Sequence, residues 1–99
     1  MLIAKEELKD LGTIQFGQVY NFEFDIENTL EKDMVINKVQ VSCNSCTKAT
    51  ITKKIKGKEK ATLKVTFTPG AVGSTNKWID IRYDTDQILR VKFKATVNG

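Results

Sequence analysis

Four stretches of the sequence alternate apolar and polar residues with a period of two. Residues 20–27 place two Phe, a Tyr and an Ile on one face, and Asn, Asp and two Glu on the other. Residues 63–67, 79–83 and 89–97 repeat the alternation, and the polar positions of the last stretch are mostly basic. Such alternation predicts half-buried strands, because a slip of one residue would expose every apolar side chain. If the acidic stretch 20–27 and the basic stretch 89–97 are neighbours, cross-strand ion pairs follow.

The segment 34–41 departs from strict alternation. Met34 and Ile36 share one parity, whereas Val39 and Val41 share the other. A β-bulge near Asn37-Lys38 returns both pairs to the core side, and we therefore predict one bulged strand here.

Turn-forming residues separate these segments roughly every 8–15 residues, which is typical of short strands joined by tight connections. Together with the length, which suits one domain over residues 1–99, the pattern predicts an all-β, immunoglobulin-like antiparallel β-sandwich of seven or eight strands. The two N-terminal stretches, 3–8 and 11–16, are expected to form one strand that is split at Asp10-Gly12. The expected core comprises Tyr20, Phe22, Phe24, Ile26, Ile36, Val39, Val41, Leu63, Val65, Phe67, Ile79, Ile81, Leu89, Val91, Phe93 and Val97.

The fragment NKVQVSCNSCT, residues 37–47, resembles the strand-to-cysteine segment of the bacterial and phage hydin-like (ASH-type) immunoglobulin-like domains. Other pieces that fit that family are the LKVTFTP strand at 63–69, Gly73, and the opening LGTIQFG at 11–17, which Phe22, Phe24 and Asn28 follow. The family usually has one residue between its cysteines, whereas Asn44 and Ser45 stand between them in this chain. The resemblance implies a small β-sandwich that serves as an interaction module in cilia, bacterial envelopes or phage virions.

The positive charge is concentrated in one segment of the sequence. The formal net charge is +4, and residues 53–60 hold five lysines and one glutamate, so the remaining chain sums to zero. This distribution predicts that an anionic partner meets this segment, and it argues against a diffuse nucleic-acid-binding face. No aromatic residue interleaves the lysines, so specific nucleic acid is not expected. The alternative is a solvated turn that protects a sheet edge. The lysines are Lys53, Lys54, Lys56, Lys58 and Lys60.

Cys43 and Cys46 have the C-x-x-C spacing of a redox dithiol or of half a zinc site. A β-branched run rather than a helix follows them, and the chain has no histidine to complete a set of four zinc ligands. We expect two thiols or a disulfide at a strand end, with a metal site between subunits as the less favoured alternative.

Catalytic chemistry is not indicated by the sequence. Histidine, the commonest general base near neutral pH, is absent, and there is no Gly-rich phosphate-binding loop. The acidic pair Asp84 and Asp86 is better explained by a hairpin turn than by a metal site. We therefore predict a protein that is not an enzyme and needs no cofactor or metal.

Trp78 shares parity with Asp80 and Arg82, away from Ile79 and Ile81, and is therefore expected on the outer face of its strand. Tryptophan is enriched at binding hot spots, although a neighbouring arginine can also cover such a ring without any binding role. We predict Trp78 and Arg82, with the five lysines, as partner-binding residues.

These features favour a non-catalytic immunoglobulin-like structural or binding module. The preferred hypothesis is a phage virion accessory protein that decorates a capsid or tail, and the alternative is a cellular adaptor or envelope-associated protein-binding domain. The acidic N-terminus lacks the pattern of a signal peptide, and no apolar run approaches the ~18 residues of a membrane span. The expected partner is a protein surface, and the expected location is the virion or otherwise the cytoplasm.

Overall fold

The computed structural model describes residues 1–99 and contains nine strands and no helix. It therefore has no helix with the length and hydropathy needed to cross a membrane. The strands are β1 (Leu2–Ala4), β2 (Leu8–Gln15), β3 (Tyr20–Asn28), β4 (Met34–Val41), β5 (Thr47–Thr50), β6 (Lys54–Ile55), β7 (Lys60–Phe67), β8 (Gly73–Tyr83) and β9 (Gln87–Asn98).

The strands form two sheets that pack face to face. The four-stranded sheet has the order β1-β3-β7-β5, and the five-stranded sheet has the order β2-β9-β8-β4-β6. This arrangement confirms the immunoglobulin-like β-sandwich. All pairs are antiparallel except β2 with β9, which run parallel, and the count of nine strands exceeds the expected seven or eight because β1 and β6 are very short.

The N-terminal strand changes sheet earlier than expected. The break lies at residues 5–7, so that β1 joins β3 in one sheet and β2 joins β9 in the other. At Asp10-Gly12 the strand continues through a bulge instead of breaking. Gly12 has a φ of +71° there, and its N–H donates to Asp10 Oδ1 at 2.9 Å. The turn chemistry at this position therefore marks an irregular pairing and not the end of a strand.

The bulge in β4 is confirmed. The register of β4 on β8 shifts between Ile36 and Lys38, which turns Val39 and Val41 toward the core. The β-branched run after the cysteines also forms a strand, β5, at the edge of the four-stranded sheet.

The core lies between the apolar faces of the two sheets. Phe22, Phe67 and Phe93 meet there edge to face, with Phe93 at 5.0 Å from each of the other two ring centroids. Five expected core residues, Tyr20, Phe22, Ile36, Val39 and Val41, are only partly buried and pack around the core, because they lie near strand ends or at the bulge. Buried apolar residues outside the expected core list are Leu2, Ile14, Met34, Ile55, Tyr83 and Ala95. Of these, Met34, Tyr83 and Ala95 do lie on faces that the alternation and the bulge assign to the core side.

The acidic and basic strands are not neighbours, because β3 and β9 lie in different sheets. Glu23 and Glu27 of β3 instead stand opposite Lys64 and Lys60 of β7. The acidic row of β3 is thus matched by lysines within its own sheet. In the basic row of β9, Arg90 stands opposite Asp80 and Lys94 opposite Asp10, and only Lys92 has no acidic residue opposite it.

Candidate protein-binding surface

Trp78 lies on the outer face of the five-stranded sheet, as its parity predicts. In the antiparallel register of β8 and β9 it stands opposite Lys92, while its neighbour Ile79 is fully buried on the other side. The indole is half-buried on this outer face. The same register places Arg82 opposite Ile88. This pair lies on the outer face beside the pair of Asp80 and Arg90, two residues away along each strand.

Arg90 fixes the position of the tryptophan. Its guanidinium lies 4.3 Å from the centroid of the Trp78 ring, within the range of a cation–π contact. The same group donates from Nε to Asp80 Oδ1 at 2.6 Å and from its terminal nitrogen to Asp80 Oδ2 at 2.9 Å. The hydrogen bonds to Asp80 raise the pKa of Arg90 above its usual value. The covering arginine is therefore Arg90, which the sequence analysis had not identified.

Strand β4 supports the same surface from the other side. Arg82 Nε donates to Gln40 Oε1 at 2.9 Å, and the backbone N–H of Trp78 donates to Ser42 Oγ at 3.0 Å. The first contact crosses from β8 to β4, and the second reaches Ser42, the residue that follows β4. They hold the outer side chains of β8 between two neighbouring strands.

The outer face of the five-stranded sheet is basic. Its strands bring basic residues from distant parts of the sequence to one surface, with only two acidic residues among them, and Asp80 is already paired with Arg90. The net charge of the sequence does not reveal this basic face, because the acidic residues that offset its positive charge lie mainly on other parts of the structure. The basic residues are Lys38, Arg82, Arg90, Lys92 and Lys94, and the acidic residues are Asp10 and Asp80.

The five lysines of residues 53–60 do not lie together on one loop. Lys54 belongs to β6 at the edge of the five-stranded sheet, where its Nζ lies 3.4 Å from Asp33 Oδ2. Lys58 donates from Nζ to the carbonyl of Thr29 at 2.6 Å, and Lys60 begins β7 in the opposite sheet. Lys53 and Lys56 are exposed. Strand β4 separates β6 from β8, so the structure does not bring the lysines together with Trp78.

Two residues that the sequence analysis missed hold the lysine segment in place. The side chain of Ile55 is only 2% exposed and anchors β6 in the core. Asn28 is fully buried, and its Nδ2 donates to the carbonyls of Lys32, Ile55 and Lys56 at 2.8, 3.1 and 3.3 Å. The Asn28 side chain thereby joins the β3–β4 turn to the lysine segment.

Gly57 and Asp33 complete this connection. A β-carbon at Gly57 would overlap the backbone of Glu31, so only glycine fits this close approach. The Gly57 N–H donates to Asp33 Oδ1 at 3.1 Å. This hydrogen bond, assisted by Lys54 and Lys56 and opposed by desolvation, holds the pKa of Asp33 below its usual value of 3.8.

Cys43 and Cys46 form a disulfide in the turn between β4 and β5, where the chain passes from one sheet to the other. The backbone N–H of Thr47 donates to the carbonyl of Cys43 at 3.0 Å, which closes the same turn. A groove of about 340 Å³ lies beside the disulfide, between it and the Pro69–Val72 connection. The sequence left open two thiols, a disulfide or a metal site between subunits, and the structure contains the disulfide.

Comparison with solved structures identifies the same fold in proteins of very different sequence. A protein of unknown function from Porphyromonas gingivalis W83 superimposes with a TM-score of 0.80 at 19% identity, over 96% of this chain and 46% of that one. The human CEP192 ASH/PapD-like domain 7 gives 0.76 at 13% identity, over 98% of this chain and 84% of that domain. The periplasmic chaperone SfaE gives 0.67 at 13% identity, over 100% of this chain and 58% of the chaperone.

At these identities the likeness extends to the fold alone. The chain spans less than half of the Porphyromonas gingivalis protein. No curated protein sequence matches it. A family model does match, over residues 2–97, and the chain therefore belongs to the family described as "Protein of unknown function (DUF1573)".

Proposed function

We propose that this chain is a non-catalytic, immunoglobulin-like protein-binding module, and that its contact surface is the outer face of the five-stranded sheet. The observation that carries the proposal is the arrangement of Trp78 beneath Arg90, with Arg90 held by both oxygens of Asp80. In this proposal the module is a single domain that spans residues 1–99.

The arrangement has the properties of a binding hot spot. Tryptophan and arginine are the residues most enriched among side chains that contribute strongly to protein association. The ion pair and the cross-strand hydrogen bonds hold these side chains before any partner arrives, which reduces the conformational entropy lost on binding. A flat, ordered surface of this kind suits a protein partner better than a small molecule, for which a concave pocket is typical.

The lysine segment takes a secondary part in this proposal. Lys54 is paired with Asp33 and Lys58 is bonded to Thr29, so two of the five lysines already make contacts within the protein. Exposed lysines at the sheet edge increase the rate of approach of an anionic surface more than the final affinity. We therefore assign Lys53, Lys56 and Lys60 to steering, and Trp78 and Arg82 to the contact itself.

Two settings for the module remain distinct hypotheses. The preferred hypothesis from the sequence is a phage virion accessory protein that resembles the hydin-like domains. The alternative is a cellular adaptor or envelope-associated protein-binding domain. Its envelope-associated form is supported by the Cys43–Cys46 disulfide, because disulfides persist mainly in oxidising compartments. The resemblance in fold to a periplasmic chaperone also supports the alternative. Mass spectrometry of purified virions and of envelope fractions from the producing cells distinguishes the two settings.

The binding proposal is tested by partner capture with matched variants. Trp78→Ala and Arg82→Glu alter the proposed face, whereas Thr62→Ala and Lys64→Glu alter the outer face of the four-stranded sheet. Arg82 is exposed, so its replacement leaves the core intact. We expect the first pair to lose a partner that the wild type and the second pair retain. Retention of that partner by both Trp78→Ala and Arg82→Glu would move the contact to another surface.

A further inference from the structure

We infer that the partner segment recognised by the outer face of the five-stranded sheet is acidic: an extended protein segment rich in Asp and Glu. This inference rests on the proposed function, because it specifies the chemistry of the partner that this same face binds. It depends on three observations: the positive charge of the face, the terminal N–H groups of Arg82 that have no hydrogen-bond acceptor, and the Trp78 ring, which Arg90 already covers.

The face keeps an excess of positive charge after its internal pairs are counted. Asp80 uses both carboxylate oxygens on Arg90 and is only slightly exposed, so it offers little to a partner. Lys92 and Lys94 follow on the outer face of β9, and both are exposed. Asp10 of β2 stands opposite Lys94 in the register, but no acidic residue stands opposite Lys92. The remaining positive charge is therefore available to an anionic partner.

Arg82 has the geometry of a prepared carboxylate receptor. Its Nε is held by Gln40 at 2.9 Å, which fixes the plane of the guanidinium, and its terminal nitrogens make no hydrogen bond within the protein. Lys38 stands directly opposite Arg82 on β4 and is also exposed. An arginine fixed in this way, with a second cation on the adjacent strand, suits a carboxylate that accepts two charge-assisted hydrogen bonds.

The surroundings favour a polypeptide over a nucleic acid. Ile88, which is 49% exposed, stands opposite Arg82 and offers an apolar contact beside the cations. Single-stranded nucleic acid binds by stacking bases on free aromatic rings, but Arg90 already covers the ring of Trp78. An acidic segment with intervening apolar or β-branched residues matches both the cations and Ile88.

A second copy of this chain is a poor occupant. The acidic row that it offers, on β3, stands in register with Lys60 and Lys64 of its own sheet. These lysines offset Glu27 and Glu23, so the row presents little net negative charge to the basic face of another molecule. An acidic segment from a different protein is therefore the occupant we infer.

The test uses the intrinsic fluorescence of Trp78, which is the only tryptophan of the chain. The full chain is titrated with a soluble peptide that alternates Glu with Thr, with a matched peptide that alternates Gln with Thr, and with oligothymidylate. We expect a saturable change with the Glu peptide that weakens at least about tenfold when salt rises from low to several hundred millimolar, because exposed charges are screened over a few Å there. The Gln peptide is expected to give no saturable change.

Matched variants place the binding on the face. Lys38→Gln with Arg82→Gln is expected to weaken Glu-peptide binding by about tenfold or more, in line with the loss of charge-assisted contacts. Lys48→Gln with Lys64→Gln removes the same charge from the opposite sheet and is expected to leave the affinity within about twofold. Sedimentation velocity of the chain alone gives its state of association.

Four results would overturn the inference: equal binding of the Gln peptide, tighter binding of oligothymidylate, equal weakening by both double variants, or self-association through the basic face. None of them removes the proposed function, since a protein captured through Trp78 would still show that this face binds a partner. Failure of that capture is a separate result and falls on the proposed function itself.

Discussion

Arg90 lies over Trp78 at 4.3 Å and is held there by both oxygens of Asp80. The three side chains belong to two adjacent antiparallel strands, in which Asp80 stands directly opposite Arg90. The ion pair thus fixes the arginine, and the arginine covers the ring. A half-buried tryptophan on the outer face is in this way ordered without being placed in the core.

Replacing Arg90 tests this arrangement. Arg90→Ala removes the cover from Trp78, so we expect its emission maximum to shift to longer wavelength and acrylamide to quench it more strongly. Arg90→Lys keeps the charge but loses the planar fork, and is expected to give an intermediate result. The matched control is Arg82→Ala, because Arg82 contacts Gln40 and not the ring. This variant is expected to leave the emission unchanged. Emission from Arg90→Ala identical to that of the wild type would contradict the stacking.

Asn28 is expected to contribute more to stability than any other polar side chain of the fold. Asn28→Ala removes one buried and two partly buried hydrogen bonds to carbonyl oxygens, at a cost of about 2–3 kcal/mol in the free energy of unfolding. Asn28→Asp preserves the shape but replaces the donor with an acceptor, and is expected to cost at least as much. Urea denaturation measures both variants. Asn76→Ala, at an exposed position of β8, is the control, and an Asn28→Asp variant as stable as the wild type would contradict the network.

Asp33 makes the lysine segment sensitive to acid. Its pKa is lowered by the hydrogen bond from Gly57, with Lys54 and Lys56 assisting. A lowered pKa in the folded state contributes stability that is complete above the unfolded value, near 3.8, and is lost as pH falls through the folded value. Asp33→Asn is therefore expected to be less stable than the wild type at neutral pH, and the difference is expected to shrink below about pH 4.

The measurement is the thermal midpoint of each protein between pH 2 and pH 7. Asp25→Asn removes the same charge from the outer face of β3, where no backbone N–H bonds the carboxylate, and controls for net charge. A difference between wild type and Asp33→Asn that stays constant over this range would contradict the role given to Gly57.

The Cys43–Cys46 disulfide is expected to stabilise the fold only modestly. Its sequence separation is 3, so it closes a very short loop, and the chain-entropy relation gives about 2 kcal/mol at most. Replacing both cysteines with Ser is expected to retain the fold and partner binding, with a stability equal to that of the reduced wild type. Denaturation with and without dithiothreitol measures this difference. A stoichiometric zinc ion in the purified wild type would contradict the disulfide and revive the metal site.

The alternation of side chains was sufficient to predict the principal strands and the fold class. Stretches 20–27, 63–67 and 89–97 lie within β3, β7 and β9, and the bulge near Asn37-Lys38 is present. The early part of β8, from Gly73 to Lys77, was not predicted, because its residues are mostly polar and lack alternation. It pairs with residues 93–97 of β9, and this backbone pairing, rather than burial of its own side chains, makes it a strand.

Spatial neighbours across the sheets could not be predicted from the sequence. Residues near the N-terminus pair in parallel with β9, and the acidic strand lies in the other sheet, so the charge of each face depends on topology and not on composition. Arg90 is an exception, because the hairpin turn predicted at Asp84 and Asp86 joins β8 to β9 and places Arg90 opposite Asp80. Ile55 was missed because an isolated apolar residue among lysines carries no periodic signal. Asn28 continues the core-facing parity of β3, but its contacts depend on the close approach of the β3–β4 turn to the lysine segment, which the sequence does not indicate.

The central claim is that the outer face of the five-stranded sheet is the contact surface, and photo-crosslinking tests it most directly. Benzoylphenylalanine is introduced singly at Ile88 on this face, at Thr62 on the opposite sheet and at Lys56 in the lysine segment, all of which are solvent-accessible positions. The account predicts a partner crosslink from position 88 that Trp78→Ala abolishes, and none from position 62. Crosslinks from position 56 or 62 without one from position 88 would contradict it.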